Sequence, residues 1–348
     1  MKDKKYLSLY RELKEKIRSA QYAPNQKLPS KRVLADRYGL SVITVEKAYW
    51  LLSEEGYVTS REKSGYYVSP LEVLPPENNK KTVSFLPLPE EDRKADRFEY
   101  DLWFKTVRKV ISEQGERLFI KSPNKGSVAL RNALSDYLLR YRGMMADPRR
   151  IIIGSGSEQL YEIVVKLLGR TLTYGIENPS YEKIEAVYHA EGVTIKKLPM
   201  GRNGITRQAL SEKDFHVLHV TPFQSYPSGV TASAAKRYEY IKWAKEGNWI
   251  VEDDFNSEFF LPGNPMESLY AIDQSQRVIY MNTFSKSISP AIRIGYLILP
   301  EALLPRYEQV LGNFSCTVPV LDQYILAEFL QSGNFERHLN RMRRQMKK

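Results

Sequence analysis

At 348 residues, with 42% hydrophobic residues and 23 tyrosines, the chain exceeds a usual single core and has ample material for two or more domains. No run approaches the ~20 apolar residues needed to cross a bilayer, and the opening MKDKKYLSLYRELKEK lacks the apolar centre of a signal peptide. The lone Cys316 cannot form an internal disulfide, which suits a reducing compartment, so a cytoplasmic protein is expected. The net charge of +11 is uneven: residues 1–70 hold 14 Lys/Arg against 8 Asp/Glu, a surplus of +6 suited to a polyanionic partner.

In chain order, Tyr6, Leu9, Tyr10, Leu13 and Ile17 recur at helical spacing and predict a first amphipathic helix, ended by Pro24 and Asn25. Ser30 caps a second helix that runs to Tyr38 and stops at Gly39. After a four-residue link, Ser41 caps a third, with Val45, Ala48, Tyr49 and Leu52 on its inner face and Gly56 beyond its end. Residues 57–59 and 66–68 read as two strands of a hairpin turning near Lys63, Ser64 and Gly65. Three helices and a hairpin form the winged helix-turn-helix pattern. In that pattern Ser41, Thr44 and Lys47 would face a major groove. Lys31 and Arg32 would hold phosphates, and Lys63 and Gly65 at the wing tip would lie near the backbone or minor groove.

The run KLPSKRVLADRYGLSVITVEKAYWLLSEEGYVTSREKSGYYV resembles the DNA-binding domain of the GntR superfamily of bacterial transcription regulators. The LPS-x-R-x-LA segment, the S-x-x-TV start of the third helix, its L-x-x-EG end and the G-x-x-V wing carry the resemblance. Val42 and Glu46 stand where many members carry arginine, the commonest reader of guanine. The stretch SPLEVLPPENNKKTVSFLPLPEEDRKAD, with five prolines and no sustained period, reads as a tether, giving a domain of residues 1–70, a linker over 71–95 and a second domain over 96–348.

In the second domain, helical stretches such as 130–142 and 159–168 alternate with apolar runs at 151–153, 217–220, 249–251, 278–281 and 296–299. That alternation predicts an α/β domain with a largely parallel sheet, whose ligands sit beyond the carboxyl ends of its strands. The first run leads into Gly154-Ser155-Gly156-Ser157, a small-residue turn opening a helix whose free N–H groups suit a phosphate. The third leads into Glu252, Asp253 and Asp254. These could hold a metal, but no histidine lies nearby in the sequence, and no metal site is expected. The fourth leads into Thr283, Ser285 and Lys286, with Arg293 beyond.

One chemistry uses all three ends. A desolvated lysine forms a Schiff base with an aldehyde, and pyridoxal 5′-phosphate brings an aldehyde, a phosphate and a pyridine nitrogen that seeks a carboxylate. The segments VTPFQSYPSGVT, WIVEDDFNSEF and NTFSKSISPAIRIGYLILP resemble the fold-type I aminotransferase domain, and joined to the N-terminal reader they resemble the MocR subfamily of GntR regulators. PNKGSVALRNALSDYLLRYRG and ENPSYEKI fit the same pattern, so the resemblance spans about residues 98–345.

The resemblance implies that Lys286 is the Schiff-base lysine and that Asp253 partners the pyridine nitrogen. Ser157, Thr283, Ser285 and Arg293 would hold the phosphate with the backbone at Glu158, Tyr181 would stack on the ring, and Tyr226 and Gln224 would approach its hydroxyl side. Phe255 replaces a usual tyrosine, and Glu158 replaces a usual glutamine, putting a negative charge near the phosphate. The chain stops at FERHLNRMRRQMKK, where relatives continue through a further small domain that carries a carboxylate-gripping arginine, so a shortened C-terminal end is expected.

Together these features imply a DNA-binding regulator that senses pyridoxal phosphate or an amino compound, and the resemblance implies a head-to-tail homodimer, whose two-fold symmetry would fit paired half-sites. Two alternatives stay open: an aminotransferase with an appended DNA-binding module, and a regulator whose second domain no longer binds the cofactor.

Overall fold

The computed structural model describes residues 5–61, 64–70, 98, 100–245, 247–259 and 267–346. It divides into two compact units, residues 1–87 and 88–348. The linker expected over 71–95 lies outside the described residues, as does Lys63.

The first unit holds α1 (Lys5–Arg18), α2 (Lys31–Tyr38), α3 (Val42–Glu54), β1 (Val58–Arg61) and β2 (Gly65–Val68). Leu9, Leu13 and Ile17 of α1 pack against Val45, Ala48, Tyr49 and Leu52 of α3, as their spacing predicts. The helix boundary differs from expectation. Ala20 takes the left-handed conformation (φ 59°), and Gln21 N–H closes back on Lys16 C=O (2.9 Å), so α1 ends at Arg18 before Pro24 can act. Ser30 accepts from Val33 N–H and Ser41 from Thr44 N–H, fixing the starts of α2 and α3. Gly39, Leu40 and Ser41 alone link these helices, one residue fewer than expected. The wing pairs Val58 with Val68 and Arg61 with Gly65, so its first strand starts one residue later than read and runs two further.

The second unit opens with α4 (Tyr100–Gln114) and α5 (Val128–Arg142). It continues through β3 (Ile151–Gly154), α6 (Ser157–Leu168), β4 (Thr173–Asn178), α7 (Glu182–Ala190), β5 (Thr194–Gly201), β6 (Gly204–Ile205) and α8 (Arg207–Ser211). There follow β7 (Val217–Val220), α9 (Ala234–Ala244), β8 (Trp249–Asp253), α10 (Leu269–Ile272), β9 (Val278–Thr283) and β10 (Gly295–Ile298), then α11 (Leu304–Leu311), α12 (Val320–Gln331) and α13 (Asn334–Met346).

One sheet of order β3-β10-β9-β8-β7-β4-β5-β6 runs through this unit. The strands β5, β4, β7, β8 and β9 are mutually parallel, as expected. Strand β10 is antiparallel to both its neighbours, an exception that a largely parallel sheet allows. The sequence reading missed β4, β5 and β6. Strand β5 carries Lys196, Lys197 and Pro199 and is mostly open to solvent beside the two-residue β6, so it lacks the apolar run that marks a buried strand.

Strand side chains alternate between faces and so feed different layers. Ile151 and Ile153 join the core formed with α5, α12 and α13, while Ile152 joins the core formed with α6, α7 and α11. No helix among the described residues is long and apolar enough to cross a membrane.

Leu326 of α12 is fully buried in the first of these cores. Leu326→Ala is expected to lower the stability of the second unit by about 2–5 kcal/mol, read from its urea midpoint at unchanged slope.

Candidate functional site

The carboxyl ends of β3, β7, β8 and β9 meet at a cavity of about 450 Å³. Its walls include Ser157, Tyr181, Asp253, Thr283, Ser285, Lys286 and Arg293, seven of the eight residues expected for the cofactor, brought together from positions 136 residues apart. The eighth, Glu158, stands at the rim. Tyr161, Lys183, Ile184, Thr221, Phe255 and Pro290 also line the cavity, with Tyr226 at its mouth, T-shaped against Tyr181 (centroids 6.1 Å apart). Gln224 does not line it; its carbonyl accepts from Asn256 Nδ2 (3.3 Å).

Lys286 is half-buried. Its Nζ donates to Asn256 Oδ1 and lies 5.2 Å from the Phe255 ring centroid and 5.4 Å from that of Phe259. Burial lowers the pKa of this amine, opposed by the Glu258 carboxylate, so more of it is in the neutral, nucleophilic form than on an ordinary lysine. Asn256 gave no signal in the sequence, because only folding brings it beside a residue 30 positions away.

Asp253 is buried at the end of β8. Tyr161 Oη donates to its Oδ2 (2.7 Å), and His219 Nε2 lies 3.6 Å from the same oxygen. His219 pairs through Nδ1 with Tyr188 (2.7 Å), and its Nε2 has no hydrogen-bond partner among the described residues. No histidine lies near this carboxylate in the sequence, but β7 and β8 are neighbours, so His219 comes within reach from 34 positions upstream. Among the described residues no group of three or more His, Cys, Asp or Glu is placed to hold a metal ion.

The three consecutive carboxylates have three environments. Asp254, one residue beyond β8, points to the opposite side from Asp253 and is bonded to Arg142 (2.8 Å) and Tyr280 (2.7 Å). Glu252, on that same face, accepts from the backbone N–H of Leu269 and Tyr270 (2.8 Å each), and burial followed by repulsion from Asp254 pushes its pKa up to about 8. Glu177 at the end of β4, bonded to Ser225, is also pushed up by burial to about 8.

At the rim, α6 starts at Gly156 (φ 87°), which gives no side-chain cap, so N–H groups of the first turn are left for an anion. A Cβ on Gly156 would lie 2.8 Å from Arg293 Nη2, so glycine is what lets this guanidinium cross the helix start. Glu158 receives Arg293 Nη2 on one oxygen (2.7 Å) and Lys183 Nζ on the other (2.6 Å). These cations, Lys183 foremost, hold its carboxyl below the usual range. The charge expected to face an anion is thus already engaged. A cation over an uncapped helix start, a buried carboxylate and a half-buried lysine form a donor set that fits pyridoxal phosphate.

In the first unit Lys31 is bound to Glu46, while Ser41 Oγ and Thr44 Oγ1 are bonded to each other (2.8 Å). Arg32 and Lys47 are exposed, and Gly65 (φ 112°) starts the second wing strand.

The profile of the bacterial regulatory proteins, gntR family, matches residues 5–68. The HTH-type transcriptional regulator YdeL of Bacillus subtilis is 32% identical over 359 residues, covering 99% of this chain and 77% of its own. The chain belongs to the MocR-type GntR transcription regulators.

Another curated relative of this MocR-type regulator is the pyridoxine biosynthesis transcriptional regulator PdxR of Corynebacterium glutamicum, 29% identical over 92% of this chain and 72% of its own. The second unit has the fold-type I aminotransferase architecture. An archaeal alanine:glyoxylate aminotransferase superposes with a TM-score of 0.64 at 25% identity, over 70% of this chain and 62% of its own. LysN, the α-aminoadipate aminotransferase of Thermus thermophilus, gives 0.64 at 26% identity, over 73% of this chain and 69% of its own. The chain spans about three quarters of the curated relatives and less than two thirds of the archaeal enzyme.

Glu177 sets an expected pH dependence. Folded, it keeps its proton up to about pH 8, whereas unfolded it releases it at the ordinary 4.5. The folded state therefore binds more protons across that window, and its stability falls as pH rises through it. The urea midpoint of the second unit is expected to drop between pH 5 and 8, with a shallower drop in Glu177→Gln.

Proposed function

We propose that this regulator binds operator DNA through its first unit and pyridoxal 5′-phosphate through Lys286 in its second, and that it senses the cofactor or an amino compound reacting there. The observation that carries the reading is the half-buried Lys286 in one cavity with the buried Asp253 and with Arg293 over the start of α6. When bound, the cofactor supplies an aldehyde for the lysine amine and a ring that withdraws electrons from an attached amino compound.

The chain's own residues divide the remaining work. Lys286 is the nucleophile, its neutral form favoured by burial. Asp253, held by Tyr161, is the carboxylate for the ring nitrogen, with the His219 ring packed behind it. Ser157, Thr283, Ser285, Arg293 and the first N–H groups of α6 would hold the phosphate. Tyr181 would lie against the ring, and the Tyr181–Tyr226 pair would limit water at the mouth. Phe255 offers an apolar surface and no hydroxyl, so one anchor that a tyrosine would give is absent. A homodimer in the cytoplasm, set on paired half-sites, completes the reading.

Sensing rather than turnover fits the attached DNA reader, so amino-group transfer from an amino acid to a 2-oxo acid is expected to be negligible. Sustained turnover would favour an aminotransferase. Mixed with pyridoxal phosphate, the protein is expected to gain a visible absorption band, and borohydride reduction should fix the added mass on Lys286. Lys286→Ala should show neither change, and a band that survives in this variant would exclude Lys286 as the attachment point.

Glu158 gives a finer expectation. Replacing it with glutamine removes a negative charge and frees Arg293 and Lys183. Exposed pairs of this kind contribute little, so Glu158→Gln is expected to bind pyridoxal phosphate about two- to fivefold tighter by absorbance titration. Weaker binding would mean that Glu158 serves to orient Arg293.

A further inference from the structure

The outward face of α3 is apolar at its first turn. Val45, Ala48, Tyr49 and Leu52 face the core, whereas Val42 and Ile43 are 41% and 67% exposed. Exposed β-branched side chains at the start of a helix do little for the folded unit. They are poorer helix formers than alanine, and exposed surface brings little hydrophobic gain. The polar groups around them are already occupied: Ser41 caps Thr44 N–H and bonds its hydroxyl, and Lys31 holds Glu46. The cations on this side are Arg32, which has no ion pair or hydrogen bond with another described residue, and Lys47, whose Nζ lies 6.0 Å from the Tyr6 ring centroid. They suit phosphates, which position a reader without telling one base from another.

We propose that Val42 and Ile43 read thymine, each packing on a 5-methyl group in the major groove. The inference rests on the first unit being the DNA reader, with the first turn of α3 at the base edges. Thymine is the standard base that shows an apolar group in that groove. Opposite a G·C pair the same side chains would desolvate the guanine acceptors or the cytosine amine and return no hydrogen bond, which costs affinity. Discrimination therefore has two sources: a methyl gained from thymine and a polar edge left unpaired by G·C.

The test uses the whole protein. Sites recovered from a random, unmethylated DNA pool are expected to share thymine at two positions per half-site. Replacing either thymine with uracil removes only its methyl and should weaken binding about threefold to fivefold, with the salt dependence unchanged because no phosphate contact is lost. Val42→Ala should abolish the thymine–uracil difference at one of these positions and Ile43→Ala at the other. Both variants should bind the corresponding uracil site as the wild type does. Both residues are exposed, so helix content by circular dichroism should stay as in the wild type. Equal affinity for thymine and uracil at every position, or guanine or cytosine where thymine is expected, would overturn the inference while leaving DNA binding intact. Binding to no DNA at all would overturn the DNA reading and this inference with it.

Discussion

Three consecutive carboxylates at the end of β8 must be accommodated inside the protein, and the site depends on how this is done. Strand alternation sends Asp253 to one face and Glu252 and Asp254 to the other. Each carboxylate then meets a different solution. Two backbone N–H groups serve Glu252, the buried Arg142 balances Asp254, and Tyr161 with the nearby His219 orients Asp253. A buried charge or polar group without a partner is unfavourable, so the fixed partners of Asp254 and Glu252 hold the strand end in place. That leaves Asp253 as the member of the trio that lines the cavity.

The opposite rim is governed by a surplus of positive charge at an uncapped helix start. Arg293 and Lys183 converge there, and Glu158 answers both within one α6 turn. The close passage of Arg293 over Gly156 depends on the missing side chain, so conformation and charge are set by one residue. The rim thus holds an internal anion, the Glu158 carboxylate, against both of its cations. The two units call on different physics. In the second, buried polar groups are matched inside a close-packed α/β core, while in the first, small helices present exposed side chains on a basic surface.

The local features were legible in the chain itself. Caps at Ser30 and Ser41, the stop at Gly39, the inner stripe of α3 and the apolar strands followed by Gly154, Asp253 and Lys286 all depend on residues within a few positions of one another. Seven of the eight expected cofactor residues therefore line one cavity. The end of α1 is not legible in the chain, because a left-handed Ala20 has no strong signal beside a proline four residues on. The polar strand β5 was missed for a related reason, since its partners supply hydrogen bonds that its own composition does not advertise.

Short-range signals, capping and periodicity, were enough for the order of the two units, for the capped helices and buried apolar strands, and for the chemical groups at the ends of those strands, but not for the polar β5. Only the tertiary structure decided which groups meet: His219 behind Asp253, Asn256 on Lys286, Glu158 turned onto Arg293 and Lys183, and β10 reversed between β3 and β9. Strand order and helix docking bring these partners together, Arg293 and Glu158 across 135 positions, and a desolvated charge then takes whichever partner the packing brings within reach.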